Sequence, residues 1–488
     1  MPVLKLWQDG RCWKIPFEGE VALSTLLRQR GVGVDHPCGG RGVCGKCAVR
    51  AEGCISPPTM EEKKAGCRLS CRITLLGDAE VWLADTEKNR IELSGGEASL
   101  GDAMGRQYGA AVDVGTTTLA LKLYDLKNGL LLAEEGAMNP QRSIAADVMG
   151  RIGAAMGGLD SMLQNMAAEA IRSMLHRACA RRNVSPDQVD TMVVTGNTTM
   201  LYLLTGRNPA CLSAAPFLAD CLFGQEDALF GIPVYYPPCM NAFVGADITC
   251  AVLDSGMMEK KGTALLCDIG TNGELALWKD GKLYVTSTAA GPAFEGAGIS
   301  CGCGSIPGAI DRVWTENGAI RMHTIGGKPA AGLCGSGLVD AVAAFLETGA
   351  IDETGAMEEE RLQLAEGVCL LPGDIRAVQL AKGAIAAGIR TLLEMAELTE
   401  EAVETVYVAG GFGSHLNAAS AAAIGLLPRS MEGKVRILGN AALSGAARLL
   451  LNRAWMGQAA ELAWNAIHVN LGGNSRFNEH FIDAMMFE

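Results

Sequence analysis

Four cysteines near the start of the chain, spaced Cys38-x5-Cys44-x2-Cys47-x23-Cys71, constrain the fold more than any other feature. The chain has 488 residues and 17 cysteines. Seven fall at positions 12, 38, 44, 47, 54, 67 and 71, and ten are scattered over the remaining 417 residues. Such crowding in one short segment reads as a metal or cluster site. Disulfides are the weaker reading. The opening Met1-Pro2-Val3-Leu4-Lys5 lacks a charged-then-apolar secretion signal, and the cytosol keeps thiols reduced. Two irons bridged by two sulfides need four thiolates, and one loop can wrap one side while a distant cysteine closes the other. Glycines at 39, 40, 42 and 45 let that loop curl and aim N–H groups at sulfur. Cys38, Cys44, Cys47 and Cys71 are therefore the expected ligands of a [2Fe–2S] cluster, with Cys67 in reserve for the fourth position. A four-cysteine zinc site is the alternative. Cys44-x2-Cys47 would be one half of it, but Cys67-x3-Cys71 makes a poor second knuckle. Cys12 and Cys54 read as ordinary half-buried thiols.

The residues around this motif specify its setting. Val3–Trp7 and Arg11–Ile15 alternate on either side of Gln8-Asp9-Gly10, a hairpin signal. Val21 to Arg30 reads as a short amphipathic helix stopped by Gly31, and Ala48 to Glu52 as a further strand. Two strands, a helix and a glycine-rich cysteine loop resemble a ferredoxin. The five-residue first gap resembles the vertebrate and bacterial forms rather than the plant type. About half the residues are apolar, 61 are glycine and 5% are aromatic, a mix that suits an α/β protein with many tight turns. The length calls for two or three domains. A net charge of −13 argues against nucleic acid or an anionic membrane as the main partner. The longest apolar stretches are broken by Pro, Asp or Arg before they could span a bilayer, so the expected location is the cytoplasm.

Residues 86–107 are polar, glycine-containing and without periodicity, and read as a linker between a domain at 1–85 and the rest. Two segments beyond it match each other. Ala110-Ala-Val-Asp113-Val-Gly115-Thr-Thr-Thr118 resembles Leu265-Leu-Cys-Asp268-Ile-Gly270-Thr-Asn-Gly273, each an apolar strand ending in Asp-x-Gly-Thr before a second apolar strand. Thr191–Thr198 and Val406–Gly413 echo one another too, as buried strands opening onto small polar residues. Such pairing predicts a duplicated fold, with subdomains at 108–260 and 261–488, the latter carrying C-terminal helices. The chemistry suits phosphate. A strand–turn–strand with Gly and Thr offers N–H and hydroxyl donors, and a carboxylate at the strand end can hold Mg2+ through waters. Gly410-Gly-Phe-Gly413 offers a small, flat platform for a nucleoside. No Walker A sequence supplies a different phosphate site.

Together these motifs resemble the acetate and sugar kinase, heat-shock protein 70 and actin superfamily, a duplicated ribonuclease-H-like fold that closes over ATP. The fold class implied is α/β, with an α+β, β-grasp ferredoxin part at the N-terminus. Joined to that ferredoxin part, the chain resembles the reductive activators of corrinoid-dependent enzymes. The likeness runs through Asn139-Pro-Gln141, Gly196-Asn-Thr-Thr-Met200, Thr288–Gly296, Cys334-Gly-Ser-Gly-Leu338, Asp374–Lys382, Gly410–Asn417 and Gly439–Gly445. It implies that Asp113 and Asp268 organise Mg2+ and the attacking water. Thr116, Thr117, Thr271 and Asn272 would grip phosphates, beside Gly115, Thr118 and Gly270. Gly410, Gly411, Phe412 and Gly413 would meet adenosine, and Glu295 would help position metal or water. It also implies one-electron reduction of a corrinoid protein from Co(II) to Co(I) and an upstream low-potential donor, while the charge balance leaves no nucleic-acid or membrane partner expected. Both halves of the clamp are apolar enough to form a homodimer. The competing readings are a small-molecule kinase with a redox-sensing ferredoxin domain, and a nucleotide-switched binding module. Cys301-Gly-Cys303 falls in a loop with no assigned role and reads as two reduced thiols without partners, a metal use being the alternative.

Overall fold

The computed structural model describes residues 1–8, 11–30, 32, 34, 40, 42, 47–83, 91–413 and 415–487. The chain divides into two compact units, residues 1–89 with 140–167, and residues 90–139 with 168–488. The expected Asp9-Gly10 turn and residues 84–90 lie outside the described residues.

The first unit is built on β1 (Val3–Gln8), β2 (Arg11–Pro16), β3 (Val21–Ala22), β4 (Ala48–Ile55), β5 (Arg68–Leu69) and β6 (Thr74–Trp82). Their order is β2-β1-β6-β4-β5, with β3 on β6. β1 and β6 run parallel at the centre, Leu4 opposite Ala79, while β2 and β4 flank them antiparallel. This is the β-grasp arrangement. Helix α1 (Leu23–Gln29) carries Leu23, Leu26 and Leu27 on one face and buries them with Leu4, Leu6, Leu75 and Val81. Helix α2 (Met60–Ala65) opens with a Thr59–Glu62 capping box and closes on left-handed Gly66. Buried Glu62 also accepts from Arg68 Nε and Leu69 N–H, each at 2.9 Å, which holds β5 against the helix. Residues 140–167 add α3 (Val148–Ala154) and the start of α4 (Asp160–Arg181). There the buried Arg151 guanidinium donates to Gln141 Oε1 at 3.1 Å and to Ala145 O at 3.0 Å.

The second unit repeats itself. Its first sheet contains β7 (Tyr108–Val114), β8 (Thr118–Asp125), β9 (Leu130–Met138), β10 (Val189–Gly196), β11 (Gln225–Leu229) and β12 (Ile232–Tyr236), in the order β11-β12-β10-β7-β8-β9. The chain then passes through α5 (Thr198–Leu204) and α6 (Ala246–Ser255) to β13 (Ala264–Ile269), β14 (Gly273–Lys279) and β15 (Lys282–Thr288). An insertion follows, made of a small sheet, β16 (Ala309–Glu316), β17 (Ala319–Thr324) and β18 (Gly332–Leu333), then α7 (Gly335–Glu347) and the hairpin β19 (Leu362–Ala365) and β20 (Val368–Leu370). After α8 (Pro372–Met395) the second sheet is completed by β21 (Thr405–Ala409), β22 (Val435–Gly439) and β23 (Ile467–His468), in the order β22-β21-β13-β14-β15-β23. Helices α9 (Gly410–Gly413), α10 (Ala418–Ala423), α11 (Ala441–Leu451), α12 (Trp455–Asn465) and α13 (Ser475–Asp483) finish the chain.

In each sheet a central strand, β7 or β13, pairs antiparallel with its successor and parallel with a later strand, β10 or β21. Asp113 thus lies opposite Thr195, and Asp268 opposite Ala409. The sheets are joined through α6 and α11, which cross so closely at Gly445 that a Cβ there would overlap the Cys250 carbonyl. Residues 91–107, which the polar composition suggests are a linker, are fastened to this unit. Leu93, Ala98, Ala103 and Met104 join its core, and Asn440 N–H donates to Ser94 O at 2.7 Å. Met104 N–H and Gly101 N–H reach Leu450 O and Leu451 O at 2.9 and 3.0 Å. Composition conceals this attachment because the bonds are made by backbone rather than by a periodic apolar face. Among the described residues no helix is long and apolar enough to cross a membrane.

Candidate active site

The two Asp-x-Gly-Thr turns join β7 to β8 and β13 to β14, so each aspartate ends the central strand of its sheet. The first turn requires glycine at 115, where a Cβ would lie 2.7 Å from the Thr118 carbonyl. Gly115 O accepts from Asn139 Nδ2 at 2.8 Å, and Asn139 N–H donates to Thr117 O at 2.9 Å. In the second turn Gly270 N–H donates to Asn272 O at 3.0 Å. Glu295, closing the single turn Pro292–Glu295, ties the two together. Thr117 Oγ1 donates to its Oε2 at 2.7 Å and Thr271 Oγ1 to its Oε1 at 2.9 Å.

Two asparagines support the first turn from helix N-termini. Asn440 Nδ2 donates to Asp113 Oδ2, and Asn197 Nδ2 donates to Thr116 Oγ1, both at 3.0 Å. Their oxygens cap helices at the same time, Asn440 accepting from Leu443 N–H of α11 and Asn197 from Met200 N–H of α5. Each follows a glycine that ends a strand, Gly196-Asn197 after β10 and Gly439-Asn440 after β22.

The carboxylates crowd. Burial pushes Asp113 up to about 6, against the Asn440 hydrogen bond that lowers it. Asp268 rises to about 7 through burial, then through the charges of Asp113 and Glu295. Asp247, in the first turn of α6, rises to about 8 through burial and then Asp268 and Asp113. Glu274 faces Asp268 across β13 and β14, and burial followed by Asp247 and Asp268 drives it well above its ordinary value. Burial and mutual repulsion hold these carboxyls toward their protonated forms, and the charge of a divalent cation beside them would restore the ionised ones.

Gly410 has φ +89, and a Cβ there would lie 2.5 Å from Asp268 Oδ1, so the glycine run is seated on the second turn. Gly410–Gly413 forms one helical turn rather than a flat platform. Phe412 stacks on Phe294 with centroids 5.0 Å apart, Gly413 packs against Val408, and the position of a Cβ at Gly411 is open space. The second unit therefore brings together Asp113, Gly115, Thr116, Thr117 and Thr118 with Asp268, Gly270, Thr271, Asn272, Glu295 and the Gly410–Gly413 turn. Sequence reasoning gives no role to Asp247, Glu274, Asn197 or Asn440. The repeated Gly-Asn at the end of a strand is the available signal for the asparagines. The two carboxylates have none, since each becomes special only through its neighbours.

In the first unit Cys47 Sγ and Cys71 Sγ lie 3.3 Å apart. Ser70 N–H donates to Cys47 O at 2.8 Å, which keeps the segment after β5 beside the start of β4. Gly40 and Gly42 both take φ +77, and a Cβ at Gly40 would come within 3.8 Å of Cys71 Cβ. Cys38 and Cys44 lie outside the described residues. Two thiols in contact beside left-handed glycines fit an iron–sulfur cluster.

Fold and site define a class, a duplicated ATPase preceded by an iron–sulfur domain. Residues 8–76 match the 2Fe-2S iron-sulfur cluster binding domain, residues 108–260 the RACo middle region, and residues 262–488 the C-terminal domain of RACo, the ASKHA domain. The corrinoid activation enzyme RamQ of Eubacterium limosum is 34% identical over 418 residues, 78% of this chain and 70% of that protein. The [Co(II) methylated amine-specific corrinoid protein] reductase of Methanosarcina barkeri is 26% identical over 422 residues, 78% of this chain and 77% of that one. The solved structure of a reductive activator for a corrinoid, iron-sulfur protein superposes with a TM-score of 0.72 at 26% identity, covering 99% of this chain and 98% of that one. The chain belongs to the RACo family of reductive activators of corrinoid proteins. It carries a [2Fe–2S] cluster in its ferredoxin domain and binds ATP with Mg2+ in its ASKHA domain.

Proposed function

We infer that this chain reduces a corrinoid protein from Co(II) to Co(I), one electron at a time, in a reaction driven by ATP. The observation that carries the nucleotide half of this reading is Glu295 bridging Thr117 and Thr271, which couples the two phosphate turns through one carboxylate. Asp113 and Asp268 orient Mg2+ and the attacking water, Asp247 and Glu274 supply further negative charge behind them, and Thr116, Thr117, Thr271 and Asn272 hold phosphate oxygens. Phosphates entering between the turns compete with Glu295 for the two threonine hydroxyls. Nucleotide occupancy therefore sets the position of the loop that carries Glu295, along with the Gly410–Gly413 turn beside the base.

Cys38, Cys44, Cys47 and Cys71 hold the cluster, Gly40 and Gly42 giving the loop its curl. When bound, a [2Fe–2S] centre supplies single electrons, the plant-type form at about −400 mV. A Co(I) product is harder to reach than that, and each ~59 mV of deficit costs about tenfold in equilibrium for one electron. ATP offsets the deficit if the nucleotide-bound conformation favours the docked corrinoid partner over the free one. The electrons come from an upstream low-potential donor, and the reaction runs in the cytoplasm.

The test is anaerobic. The reduced protein is mixed with a Co(II) corrinoid protein, and Co(I) absorbance is followed with and without ATP and Mg2+. Co(I) that accumulates only with both supports the reading. Equal yields without ATP, or steady phosphorylation of a small molecule instead, overturn it.

A further inference from the structure

The loop that carries Glu295 holds a second chemistry. Cys301 does not stand without a partner, because the insertion hairpin brings Cys369 of β20 against it. Cys369 N–H donates to Cys301 Sγ at 3.5 Å, and the Cys301 thiol points to Gly367 O at 3.6 Å. Three covalent links, Cys369 N–Cα and Cys301 Sγ–Cβ–Cα, separate that contact from the two Cα atoms, so their separation is capped not far above the range a disulfide spans. Both thiols are partly exposed. The Cys369 thiol is raised by burial first and then by the facing Cys301.

The backbone around Cys301 is fixed on both sides. Ser300 N–H and Oγ donate to Asp374 Oδ1 at 2.7 and 3.1 Å, at the start of α8. Leu333 N–H donates to Cys301 O at 2.8 Å, and Cys303 N–H donates to Leu333 O at 3.0 Å. Cys303 is a different case, packed beside Ile306, Ala309 and Cys334. The loop is also short and closed on itself. A Cβ at Gly296, directly after Glu295, would overlap the Cys303 backbone, and one at Gly302 would overlap Gly296 O. Whatever restrains residues 301–303 therefore restrains Glu295.

We propose that Cys301 and Cys369 are a disulfide-exchange site for low-molecular-weight disulfides, and that its oxidation tethers the Glu295 loop to the β19–β20 hairpin. One thiolate attacks the small disulfide, forming a mixed disulfide and releasing one small thiol. The other cysteine then displaces the second small thiol, so two protein thiols and one disulfide become one protein disulfide and two small thiols, with no net electrons left over. The consequence for ATP turnover rests on the nucleotide site described above; the exchange itself does not.

The test uses the full-length holoprotein under anaerobic conditions with bis(2-hydroxyethyl) disulfide as the probe. Peptide mapping without reduction should find a Cys301–Cys369 link, lost in Cys301→Ser and in Cys369→Ser and retained in Cys303→Ser. Visible absorbance of the cluster monitors damage elsewhere. ATP hydrolysis by the linked protein should fall and return on reduction, because the link holds Glu295 on the two threonine hydroxyls that the phosphates need. Only mixed disulfides, or a link to Cys303 instead, would overturn the site. A Cys301–Cys369 link with unchanged ATP hydrolysis would overturn the tether while leaving the exchange site standing.

Discussion

The two Asp-x-Gly-Thr turns share a sequence pattern and a place in their sheets, yet they are supported in opposite ways. The first is held by amides. Asn139 fixes Gly115, Asn197 fixes Thr116, and Asn440 donates to Asp113. The second is surrounded by carboxylates, with Glu274 across the strand pair, Glu295 on Thr271, and Asp247 close enough to act on Asp268 and Glu274. Amide dipoles set the first turn's shape, whereas the second gathers further carboxyls whose burial and mutual repulsion raise their affinity for protons. Duplication supplied two equivalent strands, and the strands, turns and helix ends around them made them unequal.

That contrast orders the expected effects. The largest belongs to the charge-loaded turn. Asp268→Asn should lower single-turnover ATP hydrolysis at saturating Mg2+ by about 10²–10³-fold, the range for removing one preorganised electrostatic group at a reacting centre. Asp113→Asn keeps its amide-supported geometry and should lose less. Equal losses would break the distinction between the turns. Next comes the crossing that joins the sheets. Gly445→Val forces α11 off α6 and should destabilise the second unit by about 1–3 kcal/mol, seen in urea denaturation.

Asn440→Ala removes an α11 cap together with the Asp113 donor. It should cost about 1 kcal/mol of stability and slow ATP turnover, whereas Asn417→Ala, which removes the α10 cap away from the turns, should lower stability alone. The smallest effect sharpens the link between turns. Glu295→Gln keeps the bridge's shape but replaces charge-assisted bonds with neutral ones. It should tighten ATP binding by a few-fold, about 1 kcal/mol or less, while lowering turnover, a split visible as KM and kcat moving down together. A rise in KM would instead make Glu295 a direct holder of nucleotide.

Much of this is legible in the residues alone. The hairpin at residues 3–16, the Leu23–Leu27 face and the two repeated strands follow from alternation and i, i+3, i+4 spacing, which act over a few residues. The strap at 91–107 is not, because its attachment is made by main-chain N–H and C=O groups that carry no sequence label. Asp247 and Glu274 escape sequence reasoning for a related reason. A carboxylate in an apolar strand or at a helix start is common, and only burial beside Asp268 and beside each other gives these two their raised affinity for protons.

The chain's sequence by itself determined the iron–sulfur motif, the duplicated phosphate turns and the family, since each is written in residue types at short fixed spacing. Tertiary structure decided the rest. It set Cys71 against Cys47, joined Thr117 to Thr271 through Glu295, and brought Cys369 to Cys301 across an intervening sheet and helix. Those contacts join residues between 24 and 178 positions apart. No local preference encodes a pairing over such a distance, which exists only once the cores have packed and fixed the directions of the strands that carry it.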